Sequence, residues 1–329
     1  MMEGHFATRV KWHLLVALLV SGLCLGFFLI FCFDLEVTRS IRTIPRSLGL
    51  CSAVVPDYST PASAYLVDPR SLAASPAGAP RRAQFSVLVG IPTRPQDFDT
   101  RHFLRLVYNP KQQPAVADVD VKFVMCNLTT EEQRVLVSLE ILRFDDIIIL
   151  DCAENMDNGK TYTYFSSLPR ILPRRYNYVM KADADTYVVL ENLARSLRRL
   201  PREDLYYGFV TPPCNNMKAN QGYMSGMGYV LSWDVVEWIS ESDIPRADVV
   251  GPEDLIVGRW LDKGKKARNR YTEKPGMYDY EKADQGCRHP LIPHSVAIHR
   301  LKTREFWLEV LKYFKVTGPL HPSKLYHID

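Results

Sequence analysis

The chain has 329 residues, 24% of them charged, and a formal net charge of +4 at pH 7. That length holds one large domain or two small ones with a proper core. The small charge excess gives no electrostatic footprint for nucleic acid, and no internal repeat is found.

Residues 14–33, LLVALLVSGLCLGFFLIFCF, carry no charge and are long enough to span a bilayer as a helix. The run exceeds the apolar core of a cleaved signal, and FCFDLEV beyond it offers no small-residue cleavage pattern. Arg9 and Lys11 precede the run, and Asp34 and Glu36 follow it. The positive-inside rule therefore predicts a cytosolic tail at 1–13 and a single membrane anchor at 14–33, although Arg39 and Arg42 reduce the asymmetry. The remainder is expected in a lumen. Between the anchor and residue 84 the chain is rich in Pro, Ala and Ser, a composition that buries little and predicts an extended stem. The folded domain is expected over 85–329.

From Phe85 the pattern alternates. FSVLVGIP (85–92) and VDVKFVMC (119–126) read as strands. TTEEQRVLVSLEILRF follows with capping-box spacing at Thr129 and Glu132, ahead of a helical run. DDIIILDC (145–152) is a third strand and YNYVMKADADTYVVL contains a fourth. Apolar strands separated by helices predict an α/β domain whose mainly parallel sheet is covered on both faces. Ligands in such sheets bind beyond the C-terminal strand ends.

Two features agree with a lumen. Asn127 opens an N-L-T glycosylation acceptor. Five cysteines, Cys51, Cys126, Cys152, Cys214 and Cys287, lie beyond the anchor, and an oxidising compartment permits two bridges among the last four. Cys126 and Cys152 both close predicted strands, which favours Cys126–Cys152 with Cys214–Cys287; buried free thiols are the alternative.

KADADTYV places Asp183 and Asp185 at a strand end. On extended backbone, carboxylates two residues apart point the same way and can share a hard cation. A polar strand end is the plainer reading of these residues alone. An EF-hand fails because Tyr187 and Val188 stand where that loop needs an oxygen ligand and a glycine, and a P-loop at Gly159-Lys160-Thr161 fails because Glu154 stands at its first glycine. GYMSGMGYVLS (222–232) has glycines that permit close backbone approach to a ligand. Glu253 and Asp254 open a predicted helix behind Pro252. Acidic residues there complement the helix dipole, or one of them projects into the cleft as a general base. His299 follows a short apolar strand, and the basic run at 263–270 reads as a solvated loop.

In this order the stretches resemble glycosyltransferase family 31, the β-1,3-galactosyltransferase-like enzymes. RHFLRLVY is similar to an R-x-x-x-R-x-T-W block through Arg101 and Arg105, and NGKTYTYF to L-T-x-K-T through Lys160. KADADTYV resembles K-x-D-D-D-x-x-V with Lys181, Asp183 and Asp185 kept and Ala184 in place of the middle aspartate. SGMGYVLS resembles G-x-x-Y-x-x-S through Gly226, Tyr229 and Ser232, EDLIVG resembles E-D-V-x-x-G, and IHRLKT resembles the closing histidine segment.

The resemblance implies a GT-A fold, a UDP-sugar donor, a divalent cation such as Mn²⁺ and inversion at the anomeric carbon. It implies Asp185 and His299 as metal ligands, with Asp183 at the metal's water or the ribose. Asp254 is implied as the base, and Glu253, Gly226 and Tyr229 as acceptor or cleft residues. Arg101, Arg105, Lys160 and Lys181 are implied to bind the donor. The expected function is transfer of a hexose, galactose first and N-acetylglucosamine as the alternative, to a glycan on a glycoprotein or glycolipid at the Golgi or endoplasmic reticulum membrane. An inactive anchored relative acting as a chaperone or binding module is the alternative from another class.

Overall fold

The computed structural model describes residues 83–108, 114–211, 222–318 and 320. The expected tail and anchor, and nearly all of the expected stem, lie outside these residues. Among the described residues no helix is long and apolar enough to cross a membrane.

The first strand, β1 (Phe85–Pro92), has the predicted bounds. It leads to α1 (Phe98–Val107), β2 (Ala117–Met125), α2 (Glu131–Phe144) and β3 (Ile147–Ile149). Then come α3 (Lys160–Ile171), β4 (Tyr178–Ala182), β5 (Tyr187–Val188), α4 (Leu190–Leu197), β6 (Leu205–Thr211) and β7 (Tyr223–Ser232). The chain continues through α5 (Trp233–Glu241), α6 (Asp243–Arg246), α7 (Glu253–Gly264) and β8 (Asn269–Thr272). It closes with β9 (Met277–Tyr280), β10 (Arg288–His289), β11 (Ala297–His299) and α8 (Arg304–Tyr313).

Seven strands form one sheet in the order β3-β2-β1-β4-β7-β6-β8. The β3-β2-β1-β4 half is parallel, and β7 runs antiparallel to both β4 and β6. Side chains of β1 alternate between two cores, as strand geometry requires. Val87, Val89 and Ile91 pack with Leu104 of α1, Leu193 of α4 and Trp307 of α8. Leu88 faces Phe165 of α3, Val236 of α5 and Trp260 of α7. The predicted mixed, mainly parallel sheet with helices on both faces is thus what the chain forms.

A smaller sheet, β10-β9-β11-β5, stands beside it. Its edge strand β5 begins two residues after Asp185, so the 183–186 segment joins the two sheets. That segment is a turn, with the Thr186 amide donating to the Asp183 carbonyl at 3.0 Å. The two carboxylates are therefore brought together by a corner, rather than by alternation along an extended strand.

Local differences have local causes. Thr130 caps α2, and Gln133 completes the capping box, one residue beyond the expected Thr129–Glu132 pair. The helical run of α2 leaves Val135, Leu139 and Leu142 exposed and buries Val137 and Glu140. Glu140 is drawn inward because Arg101 and Arg105 wait there with matching charge.

Candidate metal and transfer site

Asp183 and Asp185 lie at the C-terminal end of β4, where a parallel sheet presents its ligand crevice. Antiparallel pairing of β11 with β5 sets Ile298 opposite Tyr187 and delivers His299 to the same corner. His299 Nε2 lies 3.6 Å from Asp183 Oδ2 and 3.4 Å from Asp185 Oδ1. One donor atom from each of the three residues falls within 4.8 Å of the others.

The other imidazole nitrogen is occupied. His299 Nδ1 is 2.7 Å from Asp279 Oδ1, its register partner across the parallel β9–β11 pair. With the Nδ1 proton donated to Asp279, Nε2 is the nitrogen that faces the two aspartates, and its lone pair would serve a metal once the second proton leaves. Asp279 is itself held by the Cys287 amide at 2.6 Å and by Arg300 Nε at 3.2 Å. Gly286, at φ +103°, passes so close that a β-carbon there would lie 2.1 Å from Asp279 Oδ2. Sequence reasoning missed Asp279, because an aspartate in MYDY is unremarkable until β9 is set beside β11.

The electrostatics fit a cation. Burial works against a charged His299, but the carboxylates of Asp183, Asp185 and Asp279 around it outweigh burial and raise its pKa to about 10. Burial likewise opposes ionisation of Asp185, yet His299 and Lys302 hold its carboxyl below the usual range. Asp185 Oδ2 is buried and faces the Lys302 ammonium. Two anionic carboxylates and one imidazole form the mixed oxygen–nitrogen set that suits a divalent ion such as Mn²⁺, whose binding would displace the imidazole proton.

Behind the carboxylates sits a buried cation. Lys181 donates to Asp183 Oδ1 at 2.6 Å, to the Gly226 carbonyl at 3.0 Å and to Glu253 Oε1. Burial disfavours the Lys181 ammonium, but Asp183 and Glu253 prevail and raise its pKa. Glu253 also accepts from Tyr229 at 2.8 Å, and burial raises its pKa despite Lys181. Glu253 and Tyr229 are thus interior supports, not cleft-facing acceptor contacts as expected. Gly226 explains itself: an added β-carbon would lie 2.8 Å from Glu253 Oε1 and 3.6 Å from Asp183 Oδ2.

Asp254 is half-buried in the first turn of α7, and its Oδ2 accepts the Gly226 amide at 3.1 Å. One peptide residue, Gly226, therefore bridges Lys181 on one side and Asp254 on the other. The Lys181 contacts continue that path to Asp183.

Other expected donor residues go elsewhere. Arg101 is wholly buried, bound to Glu140 through Nε and Nη2 and to the Arg94 and Pro95 carbonyls. Arg105 bridges Glu140 and Asp146. Arg101 holds α1 to α2 and to the loop after β1, and Arg105 holds α1 to Glu140 of α2 and to Asp146 beyond it. Lys160 is buried between Glu154 and the Thr93 carbonyl, 2.9 Å away. The Cys126–Cys152 bridge is present; Cys287 is disulfide-bonded, and its expected partner Cys214 lies outside the described residues. Asn127 is exposed, with its amide donating to Asp151 at 2.8 Å.

The galactosyltransferase family model matches residues 99–270, just over half of the chain. The chain belongs to the galactosyltransferase family. A β-1,3-galactosyltransferase of Schizosaccharomyces pombe is 22% identical over 290 residues, covering 70% of this chain and 75% of that protein. Mouse β-1,3-galactosyltransferase 1 is 22% identical over 238 residues, covering 67% and 71%. An Arabidopsis thaliana hydroxyproline O-galactosyltransferase is 21% identical over 248 residues, and only 36% of its length is matched. Among solved structures, the galactosyltransferase LgtC overlays with a TM-score of 0.44 at 12% identity, over 72% of this chain and 97% of that one. As a family member the chain is a glycosyltransferase, and the Asp183–Asp185–His299 corner lies within its folded domain.

Proposed function

We propose that the chain is an inverting, metal-dependent galactosyltransferase that moves galactose from UDP-galactose to a glycan hydroxyl in β-1,3 linkage. The observation that carries this reading is the convergence of Asp183, Asp185 and His299 in front of Lys181, with Asp254 tied to the same cluster through Gly226. The names of the yeast and mouse relatives support galactose and the 1,3 linkage.

Asp185 and His299 would hold the cation, with Asp183 beside them at the cation or its water. When bound, that cation acts as a Lewis acid on the diphosphate of the donor. Transfer forms a bond from the acceptor oxygen to the anomeric carbon and breaks the bond to the diphosphate, whose oxygen keeps the electron pair. Asp254 takes the acceptor proton as general base. Lys181 keeps Asp183 ionised and oriented without touching substrate, and the Gly226 amide fixes the Asp254 carboxylate.

The apolar run at 14–33 and the Cys126–Cys152 bridge support a single-pass protein with its folded domain in an oxidising lumen, which we place in the Golgi. Asn127 is then open to glycosylation. The test is a panel of UDP-sugars offered to the purified chain with Mn²⁺ and with chelator. Metal-dependent consumption of UDP-galactose with release of UDP is expected. Turnover that ignores chelation, or a preference for UDP-N-acetylglucosamine, contradicts the metal or the sugar assignment respectively.

A further inference from the structure

Lys302 stands three residues after His299, on the connection between β11 and α8. Its ammonium pairs with Asp185 Oδ2, a buried oxygen, while Oδ1 of the same carboxylate lies 3.4 Å from His299 Nε2. The two partners differ in freedom, since the Lys302 side chain is 64% exposed and that of Asp185 only 19%. The backbone beneath Lys302 is pinned, because the Leu301 amide donates to the Asp185 carbonyl at 3.0 Å. Any movement at this point therefore belongs to the lysine side chain.

That side chain lines a cavity of about 730 Å³, shared with Arg94, Ala184, Asp185, Arg304 and Trp307. Arg94 is committed to Asp97, with contacts down to 2.8 Å. Lys302 pairs instead with a carboxylate of the metal corner itself. Its carboxylate partner is the one a divalent cation would also claim, through the Oδ1 that faces His299, and a cation there repels an ammonium across the same carboxylate. Ala184 lines the same cavity with only a methyl group beside Asp185.

The geometry points to Lys302 as a second cation for the donor: it guards Asp185 while the site lacks metal, and turns to the nucleotide diphosphate when metal takes that carboxylate. An ammonium on a four-carbon stem serves as a movable point charge of this kind. Lys302 then meets the negative charge that gathers on the departing diphosphate, and no proton need be transferred. This inference rests on the nucleotide-sugar reading of the site.

Its test uses the purified full-length chain in detergent, as wild type, Lys302→Met and Lys302→Arg. Mn²⁺ binding without nucleotide is followed by electron paramagnetic resonance, and UDP binding in saturating Mn²⁺ by calorimetry. Lys302→Met is expected to bind Mn²⁺ alone about two- to tenfold more tightly, because the competing ammonium is gone. It is expected to bind UDP about tenfold more weakly, the loss of one charged hydrogen bond, and Lys302→Arg is expected to recover most of that loss. Weaker binding of both Mn²⁺ and UDP would mean that Lys302 merely props Asp185, and overturns the inference. Wild-type affinity for UDP in the Met variant overturns it alone. Wild type that binds Mn²⁺ but never UDP overturns the donor reading, and the inference with it.

Discussion

Asp279 holds His299 by a 2.7 Å contact to Nδ1, and this one relationship decides which imidazole nitrogen faces the paired aspartates. The two lie 20 residues apart in the chain, and parallel pairing of β9 and β11 makes them opposite numbers. Asp279→Asn keeps size and shape but loses the charge that favours Nδ1–H, and its amide would oppose the Cys287 N–H. Mn²⁺ affinity should fall about 10- to 100-fold, the usual effect of losing a ligand-orienting carboxylate. Melting of the metal-free protein should change little. Unchanged Mn²⁺ titration in a folded variant would remove Asp279 from the site.

Gly226 links Lys181 behind the carboxylates to Asp254, through its carbonyl and its amide. Gly226→Ala would push a methyl group against Glu253, whose carboxylate is fixed by Lys181 and Tyr229. Overpacking of this kind costs about 1–3 kcal/mol, and a shift of about 1 Å in the base can cost 10²-fold in rate. Steady-state kinetics beside denaturant melts should show a rate loss far larger than the stability loss. Wild-type turnover in Gly226→Ala would mean the bridge through Gly226 does not set Asp254.

Glu140 ties α2 to two buried arginines, and its titration gives a signed prediction. Burial pushes its carboxyl up, but hydrogen bonds from Arg101 and Arg105 outweigh burial and hold it below its ordinary value. A carboxyl depressed on folding contributes stability that is present above its unfolded pKa, about 4.3, and lost as pH falls through the folded value. Glu140→Gln should therefore destabilise the chain by about 3–5 kcal/mol at pH 7, with the gap narrowing as pH drops below about 4. Urea melts across that range read it directly. A gap that is constant with pH would show that shape, not charge, makes the contact.

Much of this molecule is legible from residues alone, and the parts that are not share a cause. FSVLVGIP is a strand because a short β-branched run ends at proline, and it remains one in the fold. Asp183, Asp185 and His299 are visible as separated candidates, and the fold brings them together. Arg101 misleads because charge in a sequence suggests solvent or ligand, whereas its partner Glu140 lies 39 residues away in a helix that looks apolar. Asp279 is silent for the mirror reason: its importance comes wholly from strand register. The turn at 183–186 hides inside what reads as one extended segment, because only the second sheet requires it.

In the proposed mechanism Asp254 is the base beside an intact donor site. The direct measurement is transfer from UDP-galactose by wild type and Asp254→Asn, with Mn²⁺ and UDP binding measured on the same samples. Transfer should fall about 10²- to 10⁴-fold, the range for losing a general base, while both affinities stay within about twofold, since Asp254 is placed outside the metal and nucleotide contacts. Transfer at the wild-type rate by a folded Asp254→Asn chain would contradict the assignment outright.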